Sequence, residues 1–170
     1  MVRPMSETPT IRRATRADLP AVARLAAELV RLHHSMDPRR FLCEEPIEPG
    51  YERWFRQELQ SPKALVLVAE RAGENGAPPA ILGYAYGRLE ARDWNALLDA
   101  CGWLHDVYVS AEARSSGVGA ALVEATARHL KEMGAPRLVL QTAHQNAAAQ
   151  SLFERLGFRR TMIEMTRELD

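Results

Sequence analysis

The chain has 170 residues, 46% of them hydrophobic and 26% charged, which is typical of a globular protein with a sizeable core. We expect a disordered tail at residues 1–9 and a single domain over residues 10–170. Lys plus Arg and Asp plus Glu both number 22, and this zero net charge argues against a generic nucleic-acid binder. No apolar run reaches the ~20 residues of a membrane span and no signal-peptide core is present. We therefore expect a cytoplasmic protein with no nucleic-acid or membrane partner.

Cysteines and histidines give no sign of a metal site. The two cysteines, Cys43 and Cys101, form neither a disulfide framework nor a CxxC motif, so we expect both to be reduced and structural. The adjacent His33 and His34 would point about 100° apart on a helix and could not easily share one ion. We predict no bound metal.

The first third of the chain predicts a strand followed by two helices. Thr10–Arg13 is a short strand candidate, and Thr15 and Asp18 have the spacing of a capping box. Apolar periodicity then predicts a helix to about His33. Residues 37–50, rich in proline, are expected to form a loop before a second helix. The apolar side of that second helix carries Tyr51, Trp54, Phe55 and Leu59.

The end of the loop is acidic, with Glu44, Glu45, Glu48 and then Glu52. One interpretation is a solvated, charged surface. The other is a wall that attracts a cationic amine substrate, because a cleft lined by one sign of charge concentrates the opposite sign. The sequence leaves both open.

Two strands follow as an antiparallel hairpin. Ala64–Ala69 is a buried strand candidate, residues 73–79 form a turn or longer loop, and Ile81–Leu89 is the next strand. Glycines in the second strand indicate a bulge or close packing. Residues 91–101 connect to the next strand, with a helical turn expected around Trp94–Leu98.

The most informative stretch is Trp103–Met133. A short apolar run ends in the β-formers Val107, Tyr108 and Val109. A polar turn follows, and residues 118–133 have the periodicity of an amphipathic helix. We interpret the stretch as strand, loop and helix.

The junction between loop and helix can hold phosphate. Gly117 and Gly119 would let a ligand approach the backbone, and the first N–H groups of a helix accept anions. Arg114 would add a positive charge. A P-loop is a poor match because Gly119 is followed by alanine. A dinucleotide fingerprint is also poor because its third glycine is replaced by Leu122. An ordinary loop with glycines for tight packing remains the alternative.

The last part predicts a strand, a helix and further strands. Arg137–Thr142 has an unbroken apolar run that fits burial on both faces. A helix begins at Asn146 and ends at Gly157. Residues 158–169 alternate weakly and are expected to supply one or two final strands. The whole pattern predicts a mixed sheet with helices on both faces.

Two motifs in this half of the chain resemble one family. Arg114-x-x-Gly117-x-Gly119, placed after a strand that ends in Val-Tyr-Val, resembles the acetyl-CoA loop of the GNAT superfamily of N-acetyltransferases. A second segment, from Asn146 through Leu152-Phe153-Glu154-Arg155-Leu156-Gly157-Phe158, is similar to the family's other common motif. The resemblance implies a GNAT-like α/β (mixed α+β) domain, with a mixed, mostly antiparallel sheet of 6–7 strands and about four helices on its two faces.

The resemblance also implies the reaction. Acetyl-CoA would be the co-substrate, and its acetyl group would pass to a primary amine of a small molecule or peptide by direct attack in a ternary complex. The implied cofactor-binding residues are Val107, Tyr108, Val109, Arg114, Ser115, Ser116, Gly117, Val118, Gly119, Ala120, Asn146 and Phe153. The backbone amide of Val109 would stabilise the oxyanion, and Tyr108, His105 and Glu90 are the side chains expected to act in catalysis.

The general base is left open by the sequence. An attacking amine must be neutral, and lysine-like amines have a pKa near 10.4, so a proton acceptor is needed. Four residues are candidates: Glu90, His105, Asp106 and His144. Strand alternation would place His105 on the side of Val107 and Val109, and Asp106 on the other side.

Phe153 departs from the family pattern. Many members of the resembling family have tyrosine there, and its hydroxyl is the proposed proton donor to the leaving thiolate. Tyr108, Ser151 or water would have to replace that donor, or the thiolate leaves unprotonated. Phe153 therefore supports an alternative, a non-catalytic acyl-CoA-binding module. A nucleotide-binding domain is a third interpretation. The sequence is also compatible with a homodimer, since two-fold dimers are the commonest oligomers.

Overall fold

The structure, a computed structural model, describes residues 9–73 and 76–169. Within these residues five strands form one sheet in the order β1-β2-β3-β4-β5. The strands are β1 (Thr10–Arg13), β2 (Ala64–Arg71), β3 (Ala80–Glu90), β4 (Cys101–Val109) and β5 (Leu138–Leu140). The helices are α1 (Leu19–Met36), α2 (Glu48–Glu58), α3 (Val118–Glu132) and α4 (Ala147–Arg155). Pairing is antiparallel from β1 to β4 and parallel between β4 and β5.

The sheet separates two apolar cores. Alternation along β2 sends Val66 and Val68 towards α1 and α2, and Leu65 and Leu67 towards α3. These side chains are buried, and each fully buried Val or Leu stabilises the fold by about 1.5–3 kcal/mol relative to exposure. The predicted mixed α/β fold with helices on both faces is confirmed.

The predicted capping signal precedes the first helix, and the bounds of the first two helices differ by a few residues from those predicted. The Asp18 carboxylate accepts the Thr15 N–H at 2.7 Å, so the predicted capping box is present. The helix that follows extends to Met36, three residues beyond the predicted end. The second helix begins at Glu48, inside the predicted loop, and buries Phe55.

Glycines in β3 serve close packing, as predicted. A Cβ on Gly87 would lie 2.9 Å from the Thr126 methyl group on α3, and the register of β3 and β4 shifts between Tyr86 and Gly87. The connection from β3 to β4 contains no helical turn. Residues 94–97 form a turn closed by a bridge between Asp93 and Leu98.

The C-terminal part of the prediction is wrong. The described chain has five strands rather than 6–7, because residues 158–169 form no strand. β5 covers only three of the six residues predicted at 137–142, and all three are half-buried rather than buried. Both differences have one reason: within the described residues, nothing pairs with the far edge of β5.

Some expectations fall outside the described part of the chain. The predicted disordered tail includes residues 1–8, and the predicted loop after β2 includes residues 74–75. None of the helices in the described ranges has the length and apolar character needed to cross a membrane.

Candidate active site

Beyond its short pairing with β5, the strand β4 has a free edge. Their parallel pairing ends at Leu104 and Leu140, whereas β4 continues to Val109. In the described chain, no strand therefore pairs with this edge of β4 over residues 105–109. Its backbone N–H and C=O groups are available to a ligand that adds itself as an extended strand. The predicted contacts Val107, Tyr108 and Val109 all lie on this open edge.

A bulge in β4 puts His105 and Asp106 on one face of the sheet. Tyr86 pairs with Asp106, but the next residue of β3 pairs with Leu104, so His105 is the extra residue. The His105 ring stacks on Tyr86 with centroids 5.3 Å apart. The Tyr86 ring belongs to the core beneath α1 and α2.

The expected alternation along β4 is therefore wrong at this point. Val107 and Val109 pack in the opposite core, against α3, and His105 does not share their side. The physical reason is the bulge, since an extra residue interrupts the two-residue period of a strand.

Asp106 is held beneath α1 and α2 by a tyrosine. The Tyr84 hydroxyl donates to the Asp106 carboxylate at 3.0 Å. Burial raises the pKa of Asp106, although the Tyr84 hydrogen bond and the nearby His105 oppose this. Burial, together with the Asp106 charge, also raises the pKa of Tyr51 to about 12. A carboxylate with a raised pKa is a stronger base than an ordinary one.

Glu90 and His105, which were predicted separately, form a pair. The His105 Nε2 and Glu90 Oε1 atoms are 2.9 Å apart, and about a third of each side chain is exposed. The Trp103 ring also stacks on the imidazole, with centroids 5.8 Å apart. His144, the fourth candidate base, is exposed in the connection from β5 to α4.

The predicted phosphate loop leads into the N-terminus of α3. Gly117 precedes the helix with φ +86°, a conformation that favours glycine. Ser115 also has a positive φ of 61°, and Ser116 Oγ donates to the Ala113 carbonyl at 2.6 Å. No side chain caps α3, so its first N–H groups are available to an anion. The predicted contacts that begin the helix are Val118, Gly119 and Ala120.

Arg114 lies across the open edge of β4 rather than over the start of α3. Its Nη2 donates to the Tyr108 hydroxyl at 2.9 Å, and its Nε donates to the Val109 carbonyl at 3.3 Å. The guanidinium carbon is 5.4 Å from the centre of the Tyr108 ring. A strand-like ligand that pairs with Val109 would have to displace this side chain.

Asn146 and Phe153, the two predicted cofactor contacts in and beside α4, both make contacts within the protein itself. Asn146 caps the helix, because its Oδ1 accepts the Ala149 N–H at 3.1 Å. This role follows from the usual preference for Asn at such a position. Phe153 is 7% exposed and meets Phe158 edge to face at 5.8 Å. Its ring belongs to the core on the α3 side.

A cleft of about 500 Å³ lies between α1, α2 and their connection. It is lined by Val30, Leu42, Glu44, Pro46, Ile47, Gly50, Tyr51 and Trp54. Tyr51 lines this cleft and packs against the core that contains Tyr84, the hydrogen-bond partner of Asp106. The sequence pattern placed Tyr51 only on the apolar side of α2, and it did not single out Tyr84. The spacing of Tyr84 and Tyr86, two residues apart on β3, does indicate that they share a face.

Most carboxylates of the acidic loop form ion pairs. Arg31 binds Glu45 at 2.8 Å and Glu48 at 3.0 Å, and a neighbouring helical pair neutralises Glu52. Glu44 lines the cleft, and no ion pair to it is present among the described residues. One guanidinium offsets only one of its two carboxylates, so negative charge remains beside Arg31 as well as at Glu44, the carboxylate that lines the cleft. In the same described ranges, no group of three or more His, Cys, Asp and Glu could hold a metal ion.

Comparisons with known proteins agree with this geometry. The model of the acetyltransferase (GNAT) family matches residues 28–158. The chain is 28% identical to the uncharacterized N-acetyltransferase YhfO of Bacillus subtilis, over 87% of this chain and 88% of the relative. It is also 28% identical to the L-methionine sulfoximine/L-methionine sulfone acetyltransferase of Pseudomonas aeruginosa, over 88% of this chain and 79% of that one.

The fold is also shared with a solved acetyltransferase. The structure of AAC(6')-Iy, an aminoglycoside N-acetyltransferase, in complex with the bisubstrate analogue CoA-S-monomethyl-acetylneamine, superposes with a TM-score of 0.74. It is 17% identical, covering 95% of this chain and 98% of that one. Since the family model matches most of the sequence, the chain belongs to the acetyltransferase (GNAT) family and is an N-acetyltransferase.

Proposed function

We propose that the protein transfers an acetyl group from acetyl-CoA to a primary amine of a small molecule or peptide, by direct attack in a ternary complex. One observation carries the proposal. The open edge of β4 leads to the uncapped N-terminus of α3. On the other face of the sheet, a cleft is lined by Tyr51, which packs against the core that contains Tyr84, the hydrogen-bond partner of Asp106 on β4. Two substrates could thus approach β4 from different sides.

The residues on the donor side fit a CoA thioester. The edge at Val107–Val109 offers the backbone pairing that an extended pantetheine arm requires. The amides from Arg114 to Ala120 would hold the pyrophosphate at a helix N-terminus. When bound, acetyl-CoA would supply a reactive acyl thioester. The Val109 amide would donate to the carbonyl oxygen of that thioester and polarise it.

Asp106 is our candidate for the group that removes the proton from the amine. It lies on the α1 and α2 face, beside the bulge, and burial raises its pKa. Tyr84 orients its carboxylate. The His105–Glu90 pair is the second candidate, because the bulge places it on the same face.

Tyr108 is the candidate proton donor to the leaving thiolate in place of the hydroxyl that Phe153 lacks. Burial raises the Tyr108 pKa, although Arg114 opposes the shift, so the hydroxyl stays protonated at neutral pH. The Arg114 guanidinium already contacts this hydroxyl and would stabilise negative charge that develops beside it.

We propose a small molecule as the acceptor for the cleft between α1 and α2. About 500 Å³ matches the lower range of small-molecule sites, and could also take the end of a peptide. The named relatives act on methionine sulfoximine or methionine sulfone and on aminoglycosides, which supports a small amine. A cytoplasmic location remains part of the proposal, and the two free cysteines fit a reducing compartment.

Calorimetric titration with acetyl-CoA, beside CoA, NAD and ATP, tests the cofactor assignment. Selective micromolar binding of acetyl-CoA and CoA is the expected result. Binding of ATP or NAD instead would favour a nucleotide-binding domain and overturn the proposal. Amines are then tested by the release of free CoA thiol. Tight acetyl-CoA binding without turnover on any amine would favour the alternative, a non-catalytic acyl-CoA-binding module, which Phe153 supports.

A further inference from the structure

The hydrogen bonds between β4 and β3 decide which backbone groups of β4 face its open edge. The Ser110 N–H donates to the Leu82 carbonyl on the β3 side, and Tyr108 lies in the same register two residues earlier. Backbone groups alternate in direction along an antiparallel strand. The N–H and C=O groups of Val107 and Val109 therefore point away from β3, and these four groups are the ones that an extended ligand would pair with.

Arg114 covers one of these four groups. Its Nε donates to the Val109 carbonyl at 3.3 Å. The guanidinium is held in this position by Tyr108, since its Nη2 donates to the Tyr108 hydroxyl at 2.9 Å and its carbon lies 5.4 Å from the centre of the ring. A thioester arm that pairs with β4 competes with these contacts, which lowers its affinity.

The same arginine is the cation of the phosphate loop. Residues 110–120 contain one positively charged side chain, that of Arg114, and one carboxylate, that of Glu112. The loop leads into the first turn of α3, where a Cβ on Gly119 would lie 3.7 Å from a Val109 methyl group. The start of the helix and the open edge are thus adjacent. A pyrophosphate bound at the helix start would attract the guanidinium that covers the edge.

We propose that Arg114 makes the donor site selective for acyl thioesters that carry a pyrophosphate. The inference rests on the proposed function, because it concerns the donor of the same reaction. The guanidinium covers the Val109 carbonyl until a pyrophosphate at the start of α3 draws it off that group. A ligand shifts such an equilibrium only by its differential affinity for the two positions. A pantetheine thioester without phosphates has no group that favours the uncovered position except the edge itself.

The test compares acetyl-CoA with S-acetylpantetheine, which has the thioester arm but no phosphate. Binding is followed by the amide shifts of β4 in isotope-labelled protein, which also report weak affinities. Wild type should bind acetyl-CoA tightly and S-acetylpantetheine weakly. Arg114→Met removes the charge and both hydrogen bonds. It should tighten S-acetylpantetheine about fivefold, roughly the effect of one net hydrogen bond, and weaken acetyl-CoA about tenfold or more.

Inorganic pyrophosphate supplies a second measurement on the same proteins. Added to wild type, it should tighten S-acetylpantetheine about fivefold, and on Arg114→Met it should have no such effect. Tyr108→Phe loosens the arginine but keeps its charge, so it should tighten both donors, whereas Arg114→Met tightens only one. Arg128→Met makes the same change on an exposed turn of α3 and should match wild type in every titration.

The two ways in which the inference can be overturned are distinguishable. If wild type binds acetyl-CoA but Arg114→Met leaves S-acetylpantetheine binding unchanged or weaker, Arg114 does not obstruct the edge, and the proposed function stands without the inference. An equal effect of pyrophosphate on wild type and Arg114→Met would have the same meaning. If wild type binds neither donor, the proposed function is overturned together with the inference.

Discussion

The Tyr84 hydroxyl donates a 3.0 Å hydrogen bond to the Asp106 carboxylate across the β3–β4 pair. The bond fixes a partly desolvated carboxylate beside the bulge, on the face of the sheet that carries α1 and α2. Because burial raises the pKa of Asp106, its ionised form is less stable in the folded protein than in water. Burial therefore makes the Asp106 carboxylate a stronger base, but it lowers the stability of the folded protein when that carboxylate is ionised.

The Asp106→Asn substitution should separate these two effects. Asn can still accept the Tyr84 hydrogen bond through its Oδ1 atom, but it cannot take a proton from an amine. We expect kcat to fall by about 10²–10⁴-fold, the usual contribution of a positioned base, with little change in acetyl-CoA affinity. His105→Ala is the matched test of the His105–Glu90 pair. A larger loss of kcat in His105→Ala than in Asp106→Asn would identify His105 as the general base.

The pH dependence of stability gives a readout that is independent of turnover. With a raised folded pKa, Asp106 binds more protons when folded than when unfolded at pH values between its two pKa values. Its contribution to stability therefore falls as pH rises through that window. Asp106→Asn should be at least as stable as wild type at neutral pH, as measured by thermal unfolding. A clear loss of Tm would show that the carboxylate is needed for folding.

Arg114→Glu should abolish measurable acetyl-CoA binding. It replaces a cation beside Tyr108 and Val109 with a charge that repels pyrophosphate. Gly119→Asp places a carboxylate in the first turn of α3, and we expect it to abolish binding as well. Calorimetric titration measures both. Arg128→Glu, on an exposed turn of α3, makes the same charge change away from the loop and should bind normally. Retained micromolar binding in both test variants would remove the cofactor-site assignment.

The elements that could be predicted from sequence are those set by local patterns. Helical periodicity located α1 and α3, and the Thr15–Asp18 spacing marked the first turn correctly. The faces of β4 could not be predicted, because one extra residue at His105 reverses an alternation that holds only for a regular strand. The partners of Asp106 depend on that bulge and on β3, which is 22 residues away in sequence at Tyr84.

The prediction of strands at the end of the chain was wrong for a different reason. Residues 158–169 have strand-like composition, but composition does not say which edge a strand will meet. The apolar run at Leu138–Leu140 likewise predicted burial on both faces, which requires a neighbour that the described chain does not provide. Strand propensity is local, whereas strand pairing is a property of the whole assembly.

A substitution of Glu44 tests whether the proposed acceptor cleft selects cations. Glu45 is bound to Arg31, whereas Glu44 lines the cleft. With an acceptor found by thiol release, Glu44→Gln should raise KM severalfold for a cationic amine and leave kcat nearly unchanged, since uniform binding is lost. Glu45→Gln is the matched control and should change KM little. Equal effects of the two variants would favour a general solvated acidic surface.

Asp18 should make stability fall in acid. Hydrogen bonds from Arg12 lower the pKa of Asp18 from 3.8 to about 2, and its side chain is nearly buried. The ionised form is thus favoured by folding, and its contribution of about 2 kcal/mol is present above pH 4 and lost as pH falls towards 2. Asp18→Asn should destabilise the protein at pH 7, with a difference that shrinks below pH 3 in urea unfolding. Asp99→Asn removes an exposed ion pair with Arg92 and should leave Tm almost unchanged at both pH values.

Gly83→Ala tests how tightly β3 supports the strand that carries the site. A Cβ at Gly83 would lie 2.7 Å from the Tyr108 carbonyl oxygen and 3.2 Å from a Leu122 methyl group. The Tyr108 carbonyl group is part of the β4 backbone and cannot shift without distorting the strand. We therefore expect the free energy of unfolding to fall by about 1–3 kcal/mol, as in other overpacked cores. Gly50→Ala is the opposite case, because no atom lies within 4 Å of the added Cβ. This substitution in α2 should stabilise the protein by up to about 1 kcal/mol. Similar unfolding midpoints for the two variants in urea would mean that β4 can shift to admit a methyl group, and that the position of Tyr108 is not set by Gly83.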